Sequence, residues 1–175
     1  SIEHRKGIDV LLEACSILKN NNKVGRFKLL LLGSGSYEWI NDFIVQTNIE
    51  ENLIKLPFQD PLKFYRLSDL MILPSRVEGF GLVCVEAMMT GLPTVRSDAE
   101  GAYDQIKNGI DGYIFQKGNS VELAKIINEL INDDNLRERI ALQGKKKALA
   151  LFTKEKMCNK TIGVYKKALE RKHIH

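Results

Sequence analysis

Phe27-Lys28-Leu29-Leu30-Leu31-Leu32-Gly33-Ser34-Gly35-Ser36 carries the first decisive reading. An almost unbroken apolar run meets a Gly/Ser turn, with none of the polar alternation of a half-solvated strand. A strand apolar on both faces is covered on both faces, which is the condition of a parallel sheet between helix layers. Upstream, Ile8, Leu11, Leu12, Cys15 and Leu18 recur at helical spacing until Asn20, Asn21 and Asn22 break the run. Downstream, residues 36–47 read as a helix, 53–56 as a short strand and 61–67 as a short helix. Residues 69–73 form a second buried strand stopped by Pro74. A helix follows at 81–90, strands at 93–96 and 112–115 flank the turn Asn108-Gly109, and helices are expected over 120–132, 134–151 and 153–170. Ser120 reads as the N-cap of the first of these.

Strands alternating with helices give right-handed βαβ units, so the expected fold is α/β: a doubly wound, Rossmann-like, mostly parallel sheet flanked by helices. No linker or repeat divides the chain, and residues 1–175 read as one domain. The first recognisable element is nevertheless a helix beginning near Gly7. A doubly wound half normally opens with a central strand, so that first strand is expected to be absent from this chain.

The composition narrows the classes. The chain has 175 residues, 44% hydrophobic and 27% charged, with 13 Gly and 4 Pro, which excludes disordered and low-complexity sequence. No apolar run approaches the ~20 residues of a membrane span, and the N-terminus lacks the apolar core of a signal peptide. Cys15, Cys84 and Cys158 follow no zinc spacing and read as reduced thiols of a cytoplasmic protein, two of them in helix cores. The net charge of +4 is uneven. Residues 1–140 hold 16 Lys and Arg against 20 Asp and Glu, whereas residues 141–175 hold 10 against 2. The basic residues of 145–172, among them Lys145, Lys146, Lys147, Lys154, Lys156, Lys160, Lys166 and Lys167, read either as a solvated helix face or as a peripheral contact with anionic membrane. Nucleic acid is not an expected partner.

Ligands of open α/β sheets sit at the carboxyl ends of strands beside helix N-termini. The segment to inspect is therefore Pro74-Ser75-Arg76-Val77-Glu78-Gly79-Phe80-Gly81-Leu82-Val83-Cys84-Val85-Glu86-Ala87-Met88-Met89. Gly79 and Gly81 permit close backbone approach, and amides near residues 80–82 can face an anion, for which a diphosphate is suited. Glu86 is the only charged side chain from Gly79 through Val95. Its helix reads as buried nearly all round, so the carboxylate needs donors: either a neighbouring Lys or Arg, or the hydroxyls of a ligand. Six residues of helical rise place Glu86 about 9 Å from Phe80, roughly the step from a diphosphate to a ribose. Glu78, in the loop before the helix, reads as a first-turn acid or as a sugar contact.

The pattern Glu78-Gly79-Phe80-Gly81 followed by Glu86 resembles the signature of the GT-B glycosyltransferases of family 4 (group 1). The resemblance continues through Arg5-Lys6-Gly7, Leu32-Gly33-Ser34-Gly35, 68–75, Gly91-Leu92-Pro93-Thr94-Val95 and Asn108-Gly109 with Asp111-Gly112-Tyr113, covering about residues 5–150. It implies the nucleotide-sugar (donor) binding C-terminal half of a two-domain transferase, working without metal or other cofactor on a UDP- or GDP-sugar and retaining anomeric configuration. Glu78 and Lys6 take the family's catalytic positions, against the transferred sugar and the phosphate. Gly33, Gly79, Phe80, Gly81, Leu82 and Glu86 take the donor-binding positions, Glu86 on the ribose. The acceptor, a glycan or lipid-linked glycan, would be held by an N-terminal domain absent from this chain, and the fragment alone is expected to be inactive.

Three departures stand out. The family's phosphate-binding arginine falls just ahead of Ser1. Pro57 replaces a common Gly within the base-side loop 55–59. Glu100-Gly101-Ala102-Tyr103-Asp104 replaces a glycine pair followed later by glutamate. Two other readings compete: a non-catalytic α/β module binding nucleotide or protein, and a metal-dependent transferase using Asp98 and Glu100 as a metal pair. A dinucleotide dehydrogenase is excluded, because Gly33-Ser34-Gly35 lacks the third glycine and the following acid. His4, His173 and His175 lie near the termini, far from a place to act as a catalytic base.

Overall fold

The computed structural model describes residues 3–20 and 27–172; Asn21, Asn22, His173 and His175, named above, lie outside them. Helix α1 (Ile8–Asn20) opens the fold after a short 3-10 turn at His4–Lys6. Its apolar positions Ile8, Leu11, Leu12, Cys15 and Leu18 are buried as their spacing demands. Strand β1 (Leu29–Leu32), helix α2 (Glu38–Thr47) and strand β2 (Leu53–Leu56) follow, and β2 pairs with β1 in parallel, Leu29 opposite Leu53. Helix α3 (Leu62–Leu67) leads to β3 (Met71–Leu73), α4 (Leu82–Thr90), β4 (Thr94–Ser97), a four-residue α5 (Ala102–Gln105) and β5 (Tyr113–Phe115). Three long helices close the chain: α6 (Ser120–Asn132), α7 (Asp134–Leu151) and α8 (Lys154–Lys172).

All strand pairing among the described residues is parallel, as expected for an α/β fold, but it falls into two ladders, β1-β2 and β3-β4-β5. Every residue of β4, the middle strand of the larger ladder, is buried. The main core gathers α1, α2 and α6 around Leu12, Ile40, Val95, Phe115, Leu123 and Leu130. A smaller one seats Met88, Ala102, Ile106, Ile114 and Ala148 between α4 and α7. No described helix is long and apolar enough to cross a membrane.

Two local expectations need correction. The cap of α6 is Asn119, whose side chain accepts from the Glu122 amide, so Ser120 is the first helical residue. Helix α4 is not buried all round. Cys84, Val85, Ala87 and Met88 face the interior, while Leu82, Val83 and Glu86 lie exposed along the opposite side. Its open stripe is itself apolar apart from Glu86, which erases the periodicity that would have marked it.

Candidate functional site

The carboxyl ends of β3 and β4 meet the start of α4, and the side chains there come from three parts of the chain. Gly7 has φ +64°, and a Cβ on it would stand 2.0 Å from the Pro74 carbonyl oxygen. Only glycine lets the backbone before α1 lie against the end of β3 in this left-handed conformation. The Arg76 guanidinium locks the junction. It donates to both Asp9 carboxylate oxygens at 2.7 and 2.6 Å and to the His4 carbonyl at 3.1 Å, and the Arg76 amide donates to the Arg5 carbonyl at 2.8 Å.

That junction brings Lys6 to Glu78, 72 residues away in the chain: Lys6 Nζ donates to Glu78 Oε2 at 2.7 Å. Ser75 Oγ donates to the same oxygen at 3.2 Å, and the Gly79 amide donates to Oε1 at 3.3 Å. Both members of the pair are mostly buried, at 20% and 12% side-chain exposure. Lys6 is therefore not the solvated lysine of the plain sequence reading, and Glu78 is an ion-paired acid at the turn.

Burial alone would push the Glu78 carboxyl up, but the hydrogen bond and charge of Lys6, with Ser75 and the Gly79 amide, hold it below the ordinary carboxylate value. Asp9 behaves alike: burial pushes up, and Arg76 more than offsets it. A carboxyl with a lower pKa folded than unfolded stabilises the fold above its unfolded value, and that contribution is lost as pH falls through its folded value. The melting temperature is expected to be insensitive to these two groups at neutral pH and to fall below about pH 4. In an Asp9→Asn/Glu78→Gln double variant that acid limb should flatten in a pH series of thermal melts.

Gly81, at φ +75°, opens α4 as an N-cap without a side-chain acceptor. The described residues give the Leu82 and Val83 amides no hydrogen-bond partner, so the first turn of α4 presents donors. Phe80 is half-buried, edge-on to Phe152 at 5.7 Å. One turn on, the exposed Glu86 accepts a hydrogen bond at Oε2 from Tyr65 Oη at 3.1 Å. Burial first, then the nearby Glu86 charge and hydrogen bond, push the Tyr65 hydroxyl pKa upward, so it stays a donor. An open cleft of about 560 Å³ runs past Glu86, bounded by Asp60, Leu62, Tyr65, Arg66, Met89 and Lys145.

The expectation of a buried Glu86 is thus corrected. It is solvent-facing, and among the described residues it takes one protein donor and no Lys or Arg is ion-paired to it. Gly33 ends β1 in the other ladder, its amide donating to the Leu56 carbonyl at 3.1 Å, and no hydrogen bond joins it to the glycine turn. In the base-side loop, Lys55 Nζ lies 4.7 Å over the Tyr37 ring and Phe58 is 77% exposed.

Asp98 Oδ1 accepts from the Lys117 amide at 2.8 Å, and Glu100 Oε2 accepts from the Glu78 amide at 3.4 Å. These two acids serve separate loop amides rather than converging as a metal pair. Sequence reasoning passed over Tyr65, Ser75, Arg96 and Gln105. A signal existed for Arg96, the one charged residue in the strand at 93–96.

The features define a class: a parallel α/β domain whose glycine turn, helix N-terminus and lysine–glutamate pair converge where such folds hold phosphorylated ligands. The sequence model of the glycosyl transferases group 1 family matches residues 1–147, and the chain belongs to that family. The capsular polysaccharide biosynthesis glycosyltransferase CapM of Staphylococcus aureus is 32% identical over 153 residues, covering 86% of this chain and 40% of CapM. The N-acetyl-alpha-D-glucosaminyl L-malate synthase of Bacillus anthracis is 30% identical over 140 residues, covering 79% and 37%. The crystal structure of Anabaena HepE in complex with UDP and glucose superposes with a TM-score of 0.86 at 25% identity, over 95% of this chain and 46% of that one. The expected GT-B type α/β fold stands, and the chain spans about two fifths of the length of the curated relatives it matches.

Proposed function

We propose that this domain binds the nucleotide-diphosphate sugar donor of a glycosyltransferase whose acceptor, a glycan or lipid-linked glycan, is held by an N-terminal domain outside this chain. The observation that carries the reading is the Lys6–Glu78 ion pair at the mouth of the glycine turn, with Glu86 open along the same helix. A diphosphate arriving at the α4 N-terminus meets amide donors and the Lys6 ammonium. Lys6 can shift from Glu78 to the phosphate as negative charge builds on the departing nucleotide, stabilisation that needs no metal. Glu78 is then left to accept from hydroxyls of the transferred sugar. Glu86, already oriented by Tyr65, accepts from the ribose, and the exposed Leu82 and Val83 lie between. UDP in the HepE complex supports a UDP-linked donor; a GDP-linked alternative and retention of configuration rest on the family resemblance alone.

A thermal-shift screen of UDP-, GDP-, ADP- and dTDP-linked sugars tests the reading. A matching donor at 100 times its Kd adds about 2.7 kcal/mol of stability. No shift with any of the four at millimolar concentration would overturn it.

We place the enzyme in the cytoplasm with a peripheral membrane contact. Lys154, Lys160, Lys166 and Lys167 are exposed on α8 beside the exposed Ile162, Tyr165 and Leu169. Lys147 does not join that surface, because its ammonium pairs with Asp111 at 3.1 Å, and Lys145 lines the Glu86 cleft. Sedimentation with vesicles rich in anionic lipid is expected, lost above roughly 0.3 M salt as screening shortens the reach of each lysine. Binding indifferent to salt, or none, would remove this contact.

A further inference from the structure

Arg96 is the largest fully buried side chain of the described residues, at 0% exposure in the middle of β4. No described carboxylate pairs with it. Its guanidinium donates instead to uncharged acceptors: NH1 to the Phe80 carbonyl at 3.2 Å and to Gln105 Oε1, NH2 to the carbonyls of Glu100 at 2.9 Å and Ala99 at 3.4 Å. Nε is buried without a partner. Gln105, also fully buried, donates through Nε2 to the Phe80 carbonyl and, at 3.3 Å, to that of Gly81. A Cβ placed on Gly81 would stand 3.3 Å from Arg96 NH1, so the guanidinium lies directly behind the glycine turn.

An arginine cannot shed its charge at any physiological pH, and carbonyl dipoles alone compensate a buried cation incompletely. Stability does not ask for it here, since an apolar residue would fill a central strand at lower desolvation cost. What the position does supply is a fixed positive charge on the protein side of a turn whose amides face out. By drawing the Phe80 and Gly81 carbonyls inward, the Arg96–Gln105 pair also orients the peptide groups of that turn toward solvent.

We propose that Arg96, held by Gln105, is the positioning residue of the diphosphate subsite: it fixes the glycine turn from behind and adds a buried positive charge that a bound diphosphate completes. This rests on the donor-binding reading above. The field of a guanidinium in a low-dielectric interior reaches a phosphate across one peptide layer with little screening. Phosphates should feel Arg96, and the nucleoside should not.

The experiment measures UDP and GDP binding by calorimetry, and the matching nucleoside by ligand-observed NMR, on the whole chain and on Arg96→Met, Arg96→Lys and Gln105→Leu. Arg96→Met is expected to weaken the diphosphate on the order of tenfold and the nucleoside less than about twofold. Arg96→Lys should recover part of the difference, because it keeps the charge. Equal loss for diphosphate and nucleoside would show a merely structural residue and overturn the proposal, as would unchanged binding of both. If Arg96→Met does not fold, Gln105→Leu decides: a loss confined to the diphosphate supports the proposal, and an equal or absent loss defeats it. A wild-type chain that binds no nucleoside diphosphate overturns the donor-binding reading and this inference together.

Discussion

Gly7→Ala is expected to lower stability by about 3 kcal/mol and to disable the site. Two separate terms add. An alanine at φ +64° carries the left-handed backbone penalty of roughly 1–2 kcal/mol. Its Cβ also meets the Pro74 carbonyl at 2.0 Å, a backbone atom that cannot swing aside, and such overpacking costs about 1–3 kcal/mol. For a chain of this size the loss corresponds to roughly 6–12 °C in melting temperature. Gly109→Ala is the control: its φ is +74°, yet nothing stands within 4 Å of the added Cβ, so only the first, smaller loss is expected. The functional loss follows from what the clash displaces. Relieving it moves the His4–Lys6 turn away from β3, and the 2.7 Å contact of Lys6 with Glu78 opens. Differential scanning of the two variants, with UDP and GDP titrations, separates the stability effect from the loss of the site. Equal melting temperatures for the two would show that the Pro74 contact is not as tight as described.

Glu86→Ala is expected to weaken nucleoside diphosphate binding about 100-fold while leaving the melting temperature nearly unchanged. Two hydrogen bonds from ribose hydroxyls to a carboxylate contribute about 1.5 kcal/mol or more each. The stability effect is small because Glu86 is exposed and loses one hydrogen bond, that of Tyr65. Tyr65→Phe should cost only a few-fold in affinity, since the carboxylate stays and loses its orientation alone. A Glu86→Ala variant that binds as tightly as wild type would leave the cleft at α3 and α4 without its assigned role.

The element order was legible because the strand signals were strong: apolar 53–56 and 113–115 are strands, and the helices at 120–132 and 134–151 begin and end where their patterns place them. Short α5 was missed, since four residues carry no period. The junction at Gly7 could not be read, because the need for glycine arises from Pro74, 67 residues away. The most instructive error concerns the lone charge in oily surroundings. In the stretch ending at Val95 that lone charge is Glu86, which faces solvent. One residue further stands Arg96, to which the same physics applies in full: a charge in a strand buried on every side, met only by Gln105 and backbone carbonyls and with Nε left without a partner. Composition alone does not separate a helix with an apolar open face from a buried helix; only the packing of α4 against α7 and the sheet does.

Hydrogen exchange with and without saturating UDP or GDP tests the central claim most directly. Slowed exchange in the peptide spanning residues 78–88, accompanied by the segment carrying Lys6 and Gly7, is the expected result, with residues 154–170 of α8 unchanged. Protection confined to other segments, or none when binding is saturated, would contradict a nucleotide seated on the glycine turn and Glu86.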